Sequence, residues 1–352
     1  MNETNEARKT VMVKGVITLM SPLFQVETSE KVVGEDGKQK LILRHRRDKF
    51  IVTGKNGELY PISILGISSN TLRGTFRDLI AACITDSLKA KADLPSILDY
   101  KSLIALFMGG GGVEKSTGIT ATEALNKIEA MKARNVVVSL FGASGERIVA
   151  GKTVFGVPIL LCTETVDSGL IPEEIYSQYK SFISYNDVMR EQQLVRHDDL
   201  SDINIMSMLS EKGIKEYLAA EAKTAAKKAG QDIKDSTRQT VFNAETVAPG
   251  AKYYHYMIVK NATSRELGAI LAAFNKIAEY PYIGGMSARG FGEIALEYSF
   301  IEGDSTIGDV SVNRNGSRKF DYNDLDGTVI SDALESFNSY VSEITPEDVQ
   351  FE

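Results

Sequence analysis

Residues 253–300 read YYHYMIVKNATSRELGAILAAFNKIAEYPYIGGMSARGFGEIALEYSF, and this stretch decides the fold. Its first seven residues are rich in aromatic and β-branched side chains, which is typical of a strand. Thr263 and Glu266 follow with the S/T-x-x-E spacing of a capping box, which predicts a helix over 264–278. A glycine-rich run and an alternating apolar segment at 294–300 complete the stretch. It therefore predicts strand, helix, glycine loop and strand.

The remaining elements of the pattern lie upstream. Residues 10–19 alternate as a half-buried strand does. Apolar residues recur at helical spacing over 70–90, where Ser69 or Asn70 can cap the helix start. Residues 136–141 (VVVSLF) and 153–166 predict two more strands. The resulting order, β-α-β-β-α-β, is that of the ferredoxin-like fold, so the class is α+β.

Several segments do not fit this pattern and are expected to be insertions into one core over residues 1–301. A turn-rich hairpin excursion is predicted over about 24–60, helices and a glycine loop over 92–134, and a polar helical insertion over 167–250. Residues 302–352 form a C-terminal extension with 12 acidic and three basic side chains. Two interpretations of it stay open: a solvated end, or a cover for a basic surface on a neighbouring subunit.

Composition limits the functions that the chain can have. Its 352 residues are 43% hydrophobic and 25% charged, with a net charge of −7, as in an ordinary globular protein. No apolar run approaches the ~20 residues that span a bilayer, and the polar N-terminus predicts a cytoplasmic protein. The only cysteines, Cys83 and Cys162, and the scattered His45, His197 and His255 give no disulfide or metal pattern. We therefore expect no metal and no cofactor.

The glycine loop near residue 285 is the strongest candidate binding site. Its glycines allow the backbone to approach a ligand closely, and its arginine adds a charge and a flat stacking surface. The loop follows a helix and enters a strand, which disfavours a dinucleotide site and favours a polyanion backbone. A purely structural turn is the alternative. The candidate residues are Gly284, Gly285, Met286, Ser287, Arg289, Gly290 and Phe291, of which Phe291 is expected to be either an anchor of the loop or a platform for a base.

Two basic clusters could contact phosphates as well. Arg73 and Arg77 lie four residues apart near a predicted helix start, where an anion is favoured; solvation or pairing with Asp78 is the alternative. Residues 40–49 (KLILRHRRDK) are the most basic stretch, and they indicate a phosphate-binding patch or a charge-protected edge strand. Its candidates are Arg44, Arg46, Arg47 and Lys49.

A second glycine-rich stretch, GGGGVEKS at 109–116, comes within one residue of the nucleotide-binding P-loop. Glu114 replaces the glycine that precedes the lysine, and it places a carboxylate where phosphate would lie. A flexible loop is the favoured interpretation. A nucleotide site that depends on Lys115 is the alternative.

Three motifs together give the chain a family resemblance. They are SSNTLRGTFR at 68–77, LFG at 140–142 and GGMSARGFG at 284–292. This combination resembles the RAMP superfamily of CRISPR-associated proteins, and most closely the Cas-seven-type backbone subunits, which have an RNA-recognition-motif-like core and polymerise along a CRISPR RNA. The length and long insertions are similar to those of the type IV backbone subunit.

The resemblance implies RNA-binding residues and partners. The helix-start motif falls on Asn70, Thr71 and Arg73, with Asn70 and Thr71 in place of serines, and Arg73 would lie at the guide RNA. A hairpin thumb would come from either 24–60 or 167–250. Expected partners are a CRISPR guide RNA, further copies of the chain in a filament, other effector subunits, and a DNA or RNA target paired to the guide.

One departure from the family pattern bears on catalysis. Type III relatives cut target RNA with an aspartate after the first strand, whereas residues 20–25 read MSPLFQ here. We therefore expect a non-catalytic scaffold. The alternative is a type III-like endoribonuclease that uses Glu27 or Asp36 with a metal, or His45 as acid and base.

Overall fold

The computed structural model describes residues 8–33, 39–54, 56–91, 100–107, 121–144, 148–179, 183–197, 210–216, 219 and 239–350. The strands are β1 (Lys9–Leu19), β2 (Val26–Val33), β3 (Gln39–His45), β4 (Arg47–Thr53), β5 (Leu59–Leu65), β6 (Ala143–Ser144), β7 (Ile148–Val149), β8 (Thr153–Phe155), β9 (Ile159–Leu160), β10 (Met189–His197), β11 (Gln239–Val247), β12 (Lys252–Ala262), β13 (Ile294–Glu302), β14 (Ser305–Val312) and β15 (Phe320–Asp324).

Most of the α-helices flank these strands in the sequence. They are α1 (Ser69–Lys91), α2 (Tyr100–Phe107), α3 (Ala121–Arg134), α4 (Val136–Phe141), α5 (Thr163–Asp167), α6 (Glu173–Tyr176), α7 (Ser264–Glu279), α8 (Val329–Glu343) and α9 (Pro346–Val349). A further helical run occupies residues 211–216. None of the helices in these ranges is both long and apolar enough to cross a bilayer.

The central sheet confirms the α+β prediction. Its strand order is β15-β14-β13-β1-β12-β8, and β9 also pairs with β12. The inner four strands, β13-β1-β12-β8, carry the β-α-β-β-α-β connectivity of the ferredoxin-like, RNA-recognition-motif-like fold. Alternate residues of β1, such as Val11 and Val13, are buried in the hydrophobic core that also includes Phe76 of α1 and Phe274 of α7. The two helices thus share one face of the sheet.

The C-terminal extension is folded into this core. Strands β14 and β15 lengthen the sheet beyond β13, and Ile330, Ala333 and Phe337 of α8 are buried in the main hydrophobic cluster. A Cβ atom on Gly268 of α7 would lie 1.9 Å from the carbonyl oxygen of Ala333, so α7 and α8 pack with their backbones close together. Both sequence interpretations of this segment missed its amphipathic helix, because they weighed net charge alone.

Two of the predicted elements have a different structure. Residues 136–141 form helix α4 and not a strand, because Asn135 caps the helix by accepting hydrogen bonds from the backbone N–H groups of Val137 and Val138 at 3.0 and 3.2 Å. The strand expected over 153–166 is broken into the short β8 and β9, and α5 follows. The remaining core strands and helices occur where the sequence predicts them.

The chain divides into two compact units. The first contains Met1–Val26, His45–Arg190 and Thr246–Glu352, and the second contains Glu27–Arg44 and Glu191–Glu245. The predicted excursion at 24–60 is therefore split. Strands β4 and β5 form an antiparallel hairpin of the first unit, whereas the four-stranded sheet β10-β11-β3-β2 belongs chiefly to the second. The insertion at 167–250, predicted to be helical, thus supplies strands as well.

Candidate nucleic-acid interface

The loop that follows β1 binds the glycine loop through backbone hydrogen bonds. The N–H of Gly292 donates to the carbonyl oxygen of Pro22 at 2.8 Å, and the N–H of Gly285 donates to the carbonyl oxygen of Phe24 at 2.8 Å. The N–H of Met20 donates to the carbonyl oxygen of Glu293, also at 2.8 Å. Two segments that lie 260 or more residues apart in sequence are thereby fixed against each other.

Gln25 extends this contact to the start of α1. Its side-chain nitrogen donates to Oγ1 of Thr71 at 2.7 Å, and its side-chain oxygen accepts from the N–H of Ser68 at 3.1 Å. Ser68, rather than the predicted Ser69 or Asn70, precedes the first helical residue, and its Oγ accepts from the N–H of Asn70 at 3.2 Å. The β1 loop, the α1 start and the glycine loop therefore form one connected surface in the first unit.

Arg73 joins the LFG motif at 140–142 to this surface. Its guanidinium donates to the carbonyl oxygen of Phe141 and lies 5.8 Å from the centroid of the Phe141 ring. Partial burial lowers the pKa of Arg73, and the nearby positive charge of Arg77 lowers it further. An anion at this helix start would counter both effects, because it would offset the lost hydration and the repulsion.

The remaining residues of the α1 start face outward or make local contacts. Asn70 is exposed. Arg77 forms an ion pair with its neighbour Asp78 at 3.0 Å, which is one of the two alternatives that the sequence left open. Only 17% of the Arg77 side chain is exposed, compared with 53% of the Asp78 side chain.

The glycine loop combines an anchored base with an exposed tip. Gly284 is exposed, Met286 has a left-handed φ of 63°, and Ser287–Arg289 form a single 3-10 turn without a buried residue. Gly290, which ends the turn, is exposed and has a φ of 80°. The tip thus presents backbone groups, the Ser287 hydroxyl and the Arg289 guanidinium at the surface, as a phosphate-binding loop requires.

Phe291 does not support the role of a base platform. Its side chain is only 7% exposed, so its ring cannot stack on a nucleic-acid base. An apolar ring that follows an exposed loop gains stability by packing inward, and this effect determines its position here. Phe291 is therefore an anchor of the loop, which is the other role that the sequence suggested for it.

The basic stretch at 40–49 does not form one patch. Arg44 lies in the second unit and pairs with Glu30 at 2.8 Å and with the buried Glu245 at 2.7 Å. In the first unit, Arg46 pairs with Asp48 at 2.7 Å, Arg47 contacts the sulfur of Met189 at 3.3 Å, and Lys49 is exposed on β4. The chain passes from β3 to β4 within this stretch, so its charges are divided between two structural units.

The enzymatic alternative names three residues, of which Glu27 is exposed on β2 and His45 lies in the interior. His45 is fully buried; its Nδ1 accepts from the N–H of Gln25 at 3.2 Å, and its Nε2 lies 3.0 Å from the carbonyl oxygen of Gly66. Both ring nitrogens are thus engaged in holding loops together. Within the described ranges, no group of three His, Cys, Asp or Glu side chains could hold a metal. Asp36 and the P-loop-like residues 109–116 lie outside those ranges.

Sequence reasoning missed Gln25 and an aromatic cluster next to the glycine loop. Gln25 has no local signature, because its partners Ser68 and Thr71 are more than 40 residues away. The cluster contains Tyr280 and Tyr282, which immediately precede the loop. Their spacing around a proline, Y-P-Y, was a visible signal of two aromatic rings close together at a turn of restricted backbone.

No protein-family model matches the chain, and no curated protein matches it. Among solved structures, the chain is similar to one described as "Type IV-B CRISPR Complex", with 16% sequence identity and a TM-score of 0.45 over 82% of this chain and 90% of that chain. The fold assignment rests on the strand order of the central sheet.

Proposed function

We propose that this chain is a non-catalytic, RNA-binding backbone subunit of a CRISPR effector complex. In this role it oligomerises along a guide RNA, beside other effector subunits, and presents the guide for pairing with a DNA or RNA target. Base pairing would read the target sequence, while the protein would contact the guide backbone. A type IV-like complex is the form that the length and the long insertions of the chain favour.

The convergence of the three motifs is the observation that carries this proposal. Residues 68–77, 140–142 and 284–292 are far apart in sequence, yet Gln25, Arg73 and the β1 loop connect them into one surface. That surface combines a helix N-terminus without acidic residues in its first turn, an exposed glycine loop and arginine side chains. These are the groups that bind a phosphate backbone without reading its sequence.

Arg289 offers the clearest test of this surface. Arg289→Glu is expected to weaken binding to a single-stranded CRISPR RNA about tenfold, because it removes one phosphate contact and adds a repulsive charge. The slope of log K against log salt should become shallower by about 0.7, the value for one contact on a single strand. Fluorescence anisotropy at several salt concentrations would measure both. Arg73→Glu should act in the same direction, but it would also break the contact with Phe141.

Lys89→Glu is the matched control. Lys89 is an exposed cation in the last turn of α1, about 30 Å along the helix from its start. The account predicts little change in affinity or slope for this variant. Equal losses of RNA affinity in Arg289→Glu and Lys89→Glu would show that net charge alone drives binding, and they would reject the proposed surface. Cleavage of a complementary RNA by the loaded protein would contradict the non-catalytic role.

A further inference from the structure

An exposed tyrosine, in ring contact with a half-buried one, lies next to the glycine loop. The side chain of Tyr280 is 58% exposed, the highest value for an aromatic residue in the described ranges. Its ring lies 4.7 Å from that of Tyr282, centroid to centroid, with 40° between the planes. The guanidinium of Arg318 lies 5.6 Å from the Tyr282 ring centroid on the same cluster. We refer to Tyr280, Tyr282 and Arg318 as the tyrosine platform.

The platform is held by backbone and side-chain contacts. The N–H of Tyr282 donates to the carbonyl oxygen of Tyr280 at 2.8 Å around the buried Pro281, and Tyr282 forms a β-bridge with Glu293. Arg318 donates to the hydroxyl oxygen of Tyr282 at 2.9 Å and to the carboxylate of Glu293 at 3.1 Å. The Tyr282 ring is therefore preorganised, and it gives the Tyr280 ring a fixed surface to lie against.

The platform is continuous with the base of the glycine loop. Ile283 directly follows Tyr282, and its N–H donates to the carbonyl oxygen of Gly292 at 2.9 Å. Only three residues separate Tyr280 from Gly284. A strand of nucleic acid whose phosphates contact the exposed loop tip would thus have its bases within reach of the tyrosine rings.

We propose that Tyr280 stacks on a base of the single-stranded RNA, with Tyr282 and Arg318 as positioning residues. This inference rests on the proposed function, and it adds a contact to a base where the glycine loop supplies contacts to the backbone. Every base has a flat π-face, so an aromatic side chain binds any sequence. A subunit that must hold guides of many sequences benefits from such a contact.

The test compares Tyr280→Ala with Tyr280→Phe on two ligands. Tyr280→Ala is expected to bind a single-stranded RNA about tenfold more weakly, with an unchanged salt slope because no charge is lost. Tyr280→Phe should retain the affinity of the unmodified protein. An oligomer of abasic ribose phosphates of the same length should bind Tyr280→Ala and the unmodified protein equally. Tyr322→Ala, at another exposed tyrosine on β15, is the matched control.

The other possible results contradict either the stacking by Tyr280 or the proposed function itself. An affinity of Tyr280→Ala equal to that of the unmodified protein would reject the platform and leave the proposed function intact. Equal losses on the RNA and on the abasic oligomer would show that Tyr280 acts by shaping the loop, and would also reject stacking. Failure of the unmodified protein to bind RNA at all would reject both proposals.

Discussion

Between pH 7 and pH 4, protonation of one side chain, His255, is expected to lower the free energy of unfolding by roughly 3 kcal/mol. His255 is 1% exposed on β12, and burial lowers its pKa to about 3. Its Nδ1 lies 2.8 Å from the Tyr298 hydroxyl, whereas its Nε2 has no hydrogen-bond partner in the described part of the chain. A second proton on the imidazole would place an uncompensated charge in the core.

The register of the sheet explains why this histidine is so deeply buried. Gly15 of β1 pairs with both His255 and Tyr298, and a Cβ atom on Gly15 would lie 1.9 Å from the Glu297 carbonyl oxygen. Without a side chain between them, the two rings approach to 5.9 Å between centroids. Phe155 lies on another side of the imidazole, 6.1 Å away.

The sign of the effect follows from the depressed pKa. The unfolded chain binds the proton below about pH 6.5 and the folded chain only near pH 3, so stability is present above pH 6.5 and is lost as the pH falls towards 3. Urea unfolding at several pH values would measure the loss. In His255→Gln, the free energy of unfolding should decrease less between pH 7 and pH 4, because glutamine does not bind a proton in this range. If the free energy of unfolding fell by the same amount with pH in the unmodified protein and in His255→Gln, the account would be contradicted.

Gly292→Ala is expected to destabilise the protein by roughly 3 kcal/mol, far more than the same change at Gly290. Gly292 has a φ of 83°, and a Cβ atom there would lie 1.9 Å from the carbonyl oxygen of Ile283. A left-handed alanine costs about 1–2 kcal/mol, and disruption of the hydrogen bond from Ile283 to Gly292 adds about 1 kcal/mol.

Gly290 is the matched control for this change. Its φ is 80°, but nothing lies within 4 Å of the position that a Cβ atom would take, so Gly290→Ala should cost only the backbone strain of about 1–2 kcal/mol. Chemical denaturation of both variants would compare the two values. Equal decreases in the free energy of unfolding for the two variants would contradict the account, because they would show that the close contact between Gly292 and Ile283 does not matter for stability. The expected difference separates a glycine that the fold requires from one that leaves space for a ligand.

Local signals in the sequence predicted local structure well. The capping box of Thr263 and Glu266 is present, with both reciprocal hydrogen bonds, and it starts α7 where the spacing indicated. The strand at 294–300 and the helix at 70–90 were predicted for the same reason, since the periodicity that defines each lies within the segment. Residues 136–141 were misread because β-branched residues favour strands, whereas the Asn135 cap and complete burial stabilise a helix there.

The candidate site was predictable only in part. The sequence identifies the glycine loop and Arg73, but the link through Gln25 depends on strands and loops that come together only after folding. The inward position of Phe291 and the outward position of Tyr280 are likewise decided by the turn at Pro281 and by the bridge from Tyr282 to Glu293. Residue type alone does not distinguish these two aromatic rings.

The most direct test of the RNA-binding role is to purify the protein without nuclease after co-expression with a CRISPR RNA. The chain has no tryptophan and 14 tyrosines, so bound RNA would raise the ratio of absorbance at 260 and 280 nm clearly. The account predicts large particles whose RNA, after nuclease trimming, has lengths that rise by a fixed increment. An RNA-free monomer that takes up no CRISPR RNA when it is supplied would contradict the central claim.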